Sequence, residues 1–296
     1  MTADLKARLK RKGVRFVPNT REQAAAWNRK SMPDMIPEHN DTHHIDWTEI
    51  DPRSAKETYT GQAALRVPDR SNPQYKLYWP IRHGMFNEQD YEDKGQLLRD
   101  FCIIIGDALR YQVGLSDRRD RAQYGCVFVV PDLYEKNYII TITELLFREF
   151  GFGRICFIQE SLSASFGAGT TTCCVVDIGA QKTSICCIDE GMCVENSRIN
   201  LKYGGADVSE AFVKMMLGSS FPYSDIALSR RHNLLVRDEL KQRCCTLGYV
   251  DLAQGSQFYE LYVRAHGEDT RFYKFKAYDE VMLAVMVCYR SGNHED

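Results

Sequence analysis

The run Val175-Val176-Asp177-Ile178-Gly179 decides how this chain is read, because it ends an apolar strand on a carboxylate followed closely by a glycine. Strand-like segments surround it: Cys173 to Ile178, Thr183 to Asp189, Met192 to Glu195 and Arg198 to Lys202, joined by tight turns. Glu190-Gly191 is a hairpin turn signal, so the block reads as an antiparallel meander. It closes at Tyr203-Gly204-Gly205-Ala206-Asp207, after which a helix is expected. Asp207 suits the N-cap of that helix, with Glu210 three residues on in a capping-box pattern. Val208, Ala211, Phe212, Met215 and Met216 supply its apolar stripe.

Upstream, Leu97, Phe101, Ile104, Ile105 and Ala108 recur at helical spacing until Gly114. Cys126 to Pro131 is a short continuous apolar run, the pattern of a strand buried on both faces. Glu135 to Phe150 places Ile139, Ile142, Leu146 and Phe150 on one helical face and stops at Gly151. Its stretch Ile140-Thr141-Ile142-Thr143 prefers strand locally, because branched side chains are stiff at χ1. Arg154 to Ile158 reads as a strand, and Glu160 to Phe166 as a short helix ended by Gly167. Strands alternating with helices before a meander give an α/β fold with a mixed sheet.

Composition narrows the class. With 296 residues the chain can bury a sizeable core, and a formal net charge of −2 gives no whole-protein field toward nucleic acid or membrane. No apolar run approaches the roughly 20 residues of a membrane span, and Met1 to Lys12 is charged rather than apolar. The first 30 residues nevertheless hold nine Lys or Arg against Asp4 and Glu22, a run able to touch phosphate backbones by counterion release. Eleven cysteines, six of them in the adjacent pairs Cys173-Cys174, Cys186-Cys187 and Cys244-Cys245, do not form a secreted disulfide framework. They indicate a reducing compartment, and without a Cys-x-x-Cys pair a structural zinc site has little support.

Two features suit polyphosphate binding. Asp177 at a strand end can hold a hydrated divalent cation, while Gly179 lets backbone amides approach phosphate oxygens. Gly204-Gly205 before a helix start offers bare amides and the positive end of a helix dipole. A turn with a capping Asp explains either feature alone, and the two together are more specific.

From Tyr59 to about Ala284 the chain resembles the actin-related proteins, in particular the branch of actin-related protein 8, a subunit of nuclear chromatin-remodelling machines of the Ino-eighty type. The resemblance rests on Trp79-Pro80-Ile81-Arg82-His83-Gly84, Val130-Pro131-Asp132-Leu133-Tyr134, Gly151-Phe152 and the segment Gln159 to Gly169. It continues through Val176 to Cys187 and Tyr203 to Ser209. Gln181-Lys182-Thr183-Ser184 with Cys186-Cys187, the segment Phe221-Pro222-Tyr223, and Val14 to Met32 are particular to that branch rather than to actin.

The resemblance implies the actin, hexokinase and Hsp70 fold of the ribonuclease H-like class, here incomplete. It implies ATP with Mg as cofactor and a phosphate-binding hairpin from Asp177 to Ser184 that includes Gly179 and Thr183. Gly204, Gly205 and Asp207 would border the nucleotide, Lys241 and Gln242 would lie near its adenosine end, and Gln159 would sit near the attacking water. A metal would be held by Asp177 through water. Ala180-Gln181 stands where actins carry an Asp-Gly pair, and Ser184 where they carry a histidine that orients water. Gln242 replaces a ribose-binding glutamate, a hydrogen bond weaker by roughly 1 kcal/mol. Slow or absent hydrolysis is therefore expected.

The function so implied is a non-catalytic scaffold in a nuclear remodelling complex, contacting DNA, histones or other actin-like subunits and no membrane. The alternatives are an ATP-binding protein with slow ATPase activity and a cytoskeletal actin relative. Residues 1–58 read as a basic segment and loop, while the resemblance implies a partial actin-like domain over 59–284 and a tail unlike the family over 285–296. The first phosphate hairpin of actins and their later Gly-Gly motif find no counterpart, so truncation at both ends is expected.

Overall fold

The apolar runs become strands and the periodic stretches helices in the computed structural model, which describes residues 17–42, 44–226, 231–248 and 255–289, with positions 7, 10 and 11 ahead of them. The basic cluster at Lys6, Arg8 and Lys12, and positions 290–296 of the tail, lie outside the described residues. Helices run α1 Thr20–Asn28, α2 Gly61–Leu65, α3 Lys94–Asp107, α4 Arg118–Arg121, α5 Lys136–Arg148, α6 Glu160–Ala168, α7 Gly205–Gly218, α8 Arg231–Cys244 and α9 Glu280–Leu283. Strands run β1 Asp34–Ile36, β2 Ile81–Arg82, β3 Met85–Phe86, β4 Gly125–Val130, β5 Arg154–Gln159, β6 Cys173–Ile178, β7 Thr183–Asp189, β8 Met192–Cys193, β9 Ile199–Leu201, β10 Gln257–Val263 and β11 Thr270–Ala277. Among the described residues no helix is long and apolar enough to cross a membrane. The chain forms two compact units, Lys76–Gly205 and a second built from Met1–Tyr75 with Ala206–Asp296.

In the unit Lys76–Gly205, parallel and antiparallel pairings occupy separate sheets: β4 pairs with β5 in parallel, and β6, β7 and β8 pair antiparallel in succession as expected, but β9 pairs with β7, not with β8 as a continued meander would require. The Asp189↔Met192 register confirms the turn at Glu190-Gly191. Phe101 of α3 and Tyr138, Ile142 and Leu146 of α5 build the core with Phe150 and Phe152. Burial of Ile142 overrides the local strand preference around it, and Thr143 adapts by donating its hydroxyl to the Ile139 carbonyl at 2.7 Å. α3 starts at Lys94 because Asp93 caps it, its carboxylate accepting the amides of Gly95 at 3.0 Å and Gln96 at 3.1 Å. Two expectations change. β4 is not buried on both faces, since Val127 and Val129 are exposed. α6 runs past Gly167 and ends where Gly169 adopts φ 67°.

In the second unit the sheet order is β1-β11-β10, antiparallel throughout. Phe212, Val213 and Met216 of α7 pack with Leu240 of α8, Leu261 and Val263 of β10 and Phe275 of β11. The segment 1–58, expected to be a basic segment and loop, supplies β1, pairing Asp34↔Phe272 and Ile36↔Thr270. The nearby Asp41 carboxylate is buried, accepting from Arg264 Nε at 2.7 Å and the Thr270 hydroxyl at 2.7 Å. Val285 and Cys288, from the stretch read as foreign, pack against this core. α7 begins at Gly205, so Asp207 lies in its first turn rather than at the N-cap.

Candidate functional site

β6 and β7 carry the landmark to a tight turn. Their register pairs Asp177↔Ser184 and Ile178↔Thr183, and the Gly179 amide donates to the Lys182 carbonyl at 2.9 Å, leaving Ala180-Gln181 as the turn. Tyr203-Gly204-Gly205 lies directly against it. The Gly205 amide donates to the Gly179 carbonyl at 2.9 Å, and the Thr183 hydroxyl to the Tyr203 carbonyl at 2.8 Å. A Cβ on Gly204 would stand 2.6 Å from the Ala180 carbonyl group and 2.7 Å from the Gln181 nitrogen. Only glycine permits that approach.

The amides of Ala180, Gln181 and Lys182 make no backbone hydrogen bond among the described residues, leaving consecutive donors at the turn. Ser184 adds a buried hydroxyl without a hydrogen-bond partner. Other groups hold the turn in place. The His83 Nδ1 donates to the Gln181 carbonyl at 2.6 Å, and the His83 amide to the Gln181 Oε1 at 3.2 Å. Lys182 is ion-paired with Glu160, two side chains largely shielded from water, so its ammonium is already engaged. This set of amides, glycines and a hydroxyl suits the oxygens of a polyphosphate, and Asp177 is the carboxylate that would hold a hydrated cation. Asp177 itself is exposed, so the cost of burying it is not what marks it. Gln159 occupies the position before α6, and its side-chain amide donates to the Asp132 carbonyl at 3.3 Å.

The remaining expected residues belong to the other unit. Asp207 and Lys241 both act on the Cys288 thiol: burial pushes its pKa up, Asp207 reinforces the shift and Lys241 opposes it. Lys241 also stands 3.9 Å from Asp238, and Gln242 is exposed near the end of α8. The structure thus brings together Gly179, Thr183, Gly204 and Gly205 in one unit, and Asp207 with Lys241 in the other. The sequence reading missed His83, Glu160 and Cys288. The first two lie within motifs already quoted, but their pairing with the turn follows only from the fold.

The family model described as Actin matches residues 32–234, a span that includes the β6–β7 turn and Gly204-Gly205. An actin-related protein 8 of Schizosaccharomyces pombe is 37% identical over 298 residues, covering 100% of this chain and 44% of that protein. The actin-like protein ARP8 of Saccharomyces cerevisiae is 35% identical over 279 residues, with coverage of 93% and 31%. Actin-related protein 8 of Homo sapiens is 31% identical over 288 residues, with coverage of 94% and 43%. The solved structure of human actin-related protein Arp8 in its ATP-bound state matches with a TM-score of 0.84 at 30% identity, covering 93% of this chain and 53% of that one. This chain spans less than half the length of these curated relatives.

Proposed function

Since this chain belongs to the actin family, we propose that it serves as a non-catalytic, actin-like scaffold in a nuclear chromatin-remodelling complex of the Ino-eighty type. Its partners there would be other actin-like subunits, DNA and histones. The names of its relatives support the assignment. The feature that carries the non-catalytic part is the β6–β7 turn, which keeps amides and glycines for phosphate but has Ala180-Gln181 where the family resemblance implies an Asp-Gly pair and Ser184 where it implies a water-orienting histidine.

ATP with Mg is the proposed ligand of that turn, held by Gly179, Thr183, Gly204 and Gly205, with Asp177 acting on the metal through water. The ATP-bound state of the human relative supports this reading. When bound, the nucleotide would supply negative charge and rigidity at the turn; this chain's residues would bind and orient it. Hydrolysis needs a group that orients water. Gln159 is the candidate by position, and one N–H of its side-chain amide donates to the Asp132 carbonyl.

The test combines two readouts. The chain, expressed in place of the corresponding subunit, is expected to co-purify with actin-like subunits, and phosphate release is expected to stay at background with Mg-ATP. Failure to co-purify removes the scaffold reading. Actin-like turnover removes the non-catalytic one.

A further inference from the structure

Cys186 and Cys193 are separated in sequence by the β7–β8 turn, and Asp132 lies more than fifty residues earlier, so no ligand spacing announces them. Folding brings them together. β7 and β8 pair Ile188↔Cys193, which puts Cys193 on the same face as Ile188 and, two residues away, Cys186. Asp132 follows β4 and is 1% exposed, while Cys186 is fully buried. One carboxylate oxygen and the two sulfurs lie within 4.8 Å of one another.

The carboxylate is already positioned by Ser161, accepting its amide at 3.1 Å and its hydroxyl at 2.5 Å. No ion pair to it exists among the described residues. Arg198 is near, but its guanidinium donates to the backbone carbonyls of Asp132 and Glu195, each at 3.3 Å. A buried carboxylate without a directly paired cation is costly, and two sulfurs beside it form a soft donor set.

We propose that Asp132, Cys186 and Cys193 form a binding site for a thiophilic divalent cation, Zn²⁺ being the natural occupant. Tetrahedral zinc holds sulfur at about 2.3 Å and carboxylate oxygen at about 2.0–2.2 Å, so the three atoms need only close up around the ion by side-chain rotation. Each thiol releases its proton as its sulfur bonds the metal. Two thiolates and a carboxylate exceed the dication by one negative charge, which Arg198 beside the cluster offsets. Cys193, only partly buried, gives the entry path, and water completes the fourth position.

The whole chain, reduced and stripped of metal, is titrated with Co²⁺ alone. One equivalent is expected to produce a thiolate-to-cobalt charge-transfer band and tetrahedral visible bands, both abolished by Zn²⁺. Cys193→Ser and Asp132→Asn are expected to weaken binding beyond the about 100-fold that loss of an outer-shell partner costs. Cys174→Ser, on exposed β6, is expected to leave it unchanged. X-ray absorption of the zinc-loaded wild-type chain needs no variant: two sulfurs with lighter donors support the site, and a four-sulfur or all-oxygen shell overturns it. Absence of the charge-transfer band, or its loss in Cys174→Ser with retention in Cys193→Ser, overturns it equally.

Discussion

Gly204 shows how much one missing methyl decides. Its Cα faces the Ala180-Gln181 backbone so closely that a Cβ would stand 2.6 Å from the Ala180 carbonyl group, and backbone cannot swing aside as a side chain can. Gly204→Ala is expected to cost about 1–3 kcal/mol in urea unfolding and to weaken Mg-ATP binding, because it displaces the turn it packs on. A variant with wild-type stability would show the contact to be loose. Ser184 makes the opposite case, being fully buried with no partner for its hydroxyl. Ser184→Ala is expected to leave stability unchanged or raise it by up to about 1 kcal/mol, since it removes an unsatisfied polar group. If the hydroxyl serves a phosphate, the same variant loses nucleotide affinity, and a binding titration beside the melt separates the effects. Residue identity was legible here while environment was not. Gly179 and Gly204-Gly205 are glycines whose use follows from the turn chemistry, whereas Asp177 and Ser184, opposite each other and so on one face, differ in exposure because β7 lies between β6 and β9 while β6, among the described residues, pairs only with β7.

Elements were read well where period and cap agree. α3 and α5 carry regular apolar stripes, and the Asp93 cap fixes where α3 begins. Asp93 also gives a pH signature. Hydrogen bonds from the Gly95 and then the Gln96 amide hold its pKa below the ordinary 3.8. A carboxylate lowered in the folded state contributes stability that is present above its unfolded value and lost as pH falls through its folded value. The melting difference between wild type and Asp93→Ala is therefore expected to be full at about pH 6 and to shrink once pH drops below about 3.8. Asp93→Asn, which still accepts these amides, is expected to show little of that pH dependence. An Ala deficit that persists undiminished at low pH would mean the cap acts without its charge. The helix after the meander starts three residues earlier than the Asp207 cap implied, for a related reason. Asp207 with Glu210 looks like a capping box, but the Gly205 amide donates to the Gly179 carbonyl and α7 begins at Gly205, which puts Asp207 in its first turn.

At the scale of the molecule, the sequence showed that a large α/β core exists but not how distant segments share it. β1 lies some 230 residues before its partner β11, and neither loop composition nor charge at the N-terminus marks that pairing. The side chains that extend it are equally silent in sequence. Beyond the last β1 pair, Ser31 donates its hydroxyl to the Lys274 carbonyl at 2.5 Å, and Asn28 at the end of α1 takes over the next backbone groups of β11. Asn28 Nδ2 donates to the Lys276 carbonyl at 2.9 Å, and the Lys276 amide donates to Asn28 Oδ1 at 2.7 Å. One buried amide side chain thus stands in for a strand residue. Asn28→Ala leaves a backbone donor and acceptor of β11 unpaired where Asn28 itself was 1% exposed. The expected cost is about 2–4 kcal/mol, read as a lower urea midpoint. Trypsin should also cleave after Arg29 and Lys30 faster than in wild type, because α1 loses its hold on the sheet. Asn28→Asp, which keeps an acceptor for the Lys276 amide but sets a carboxylate against its carbonyl, is expected to be no better than Ala. If both variants melt and resist trypsin as the wild type does, the N-terminal helix is an accessory to this unit rather than part of its core.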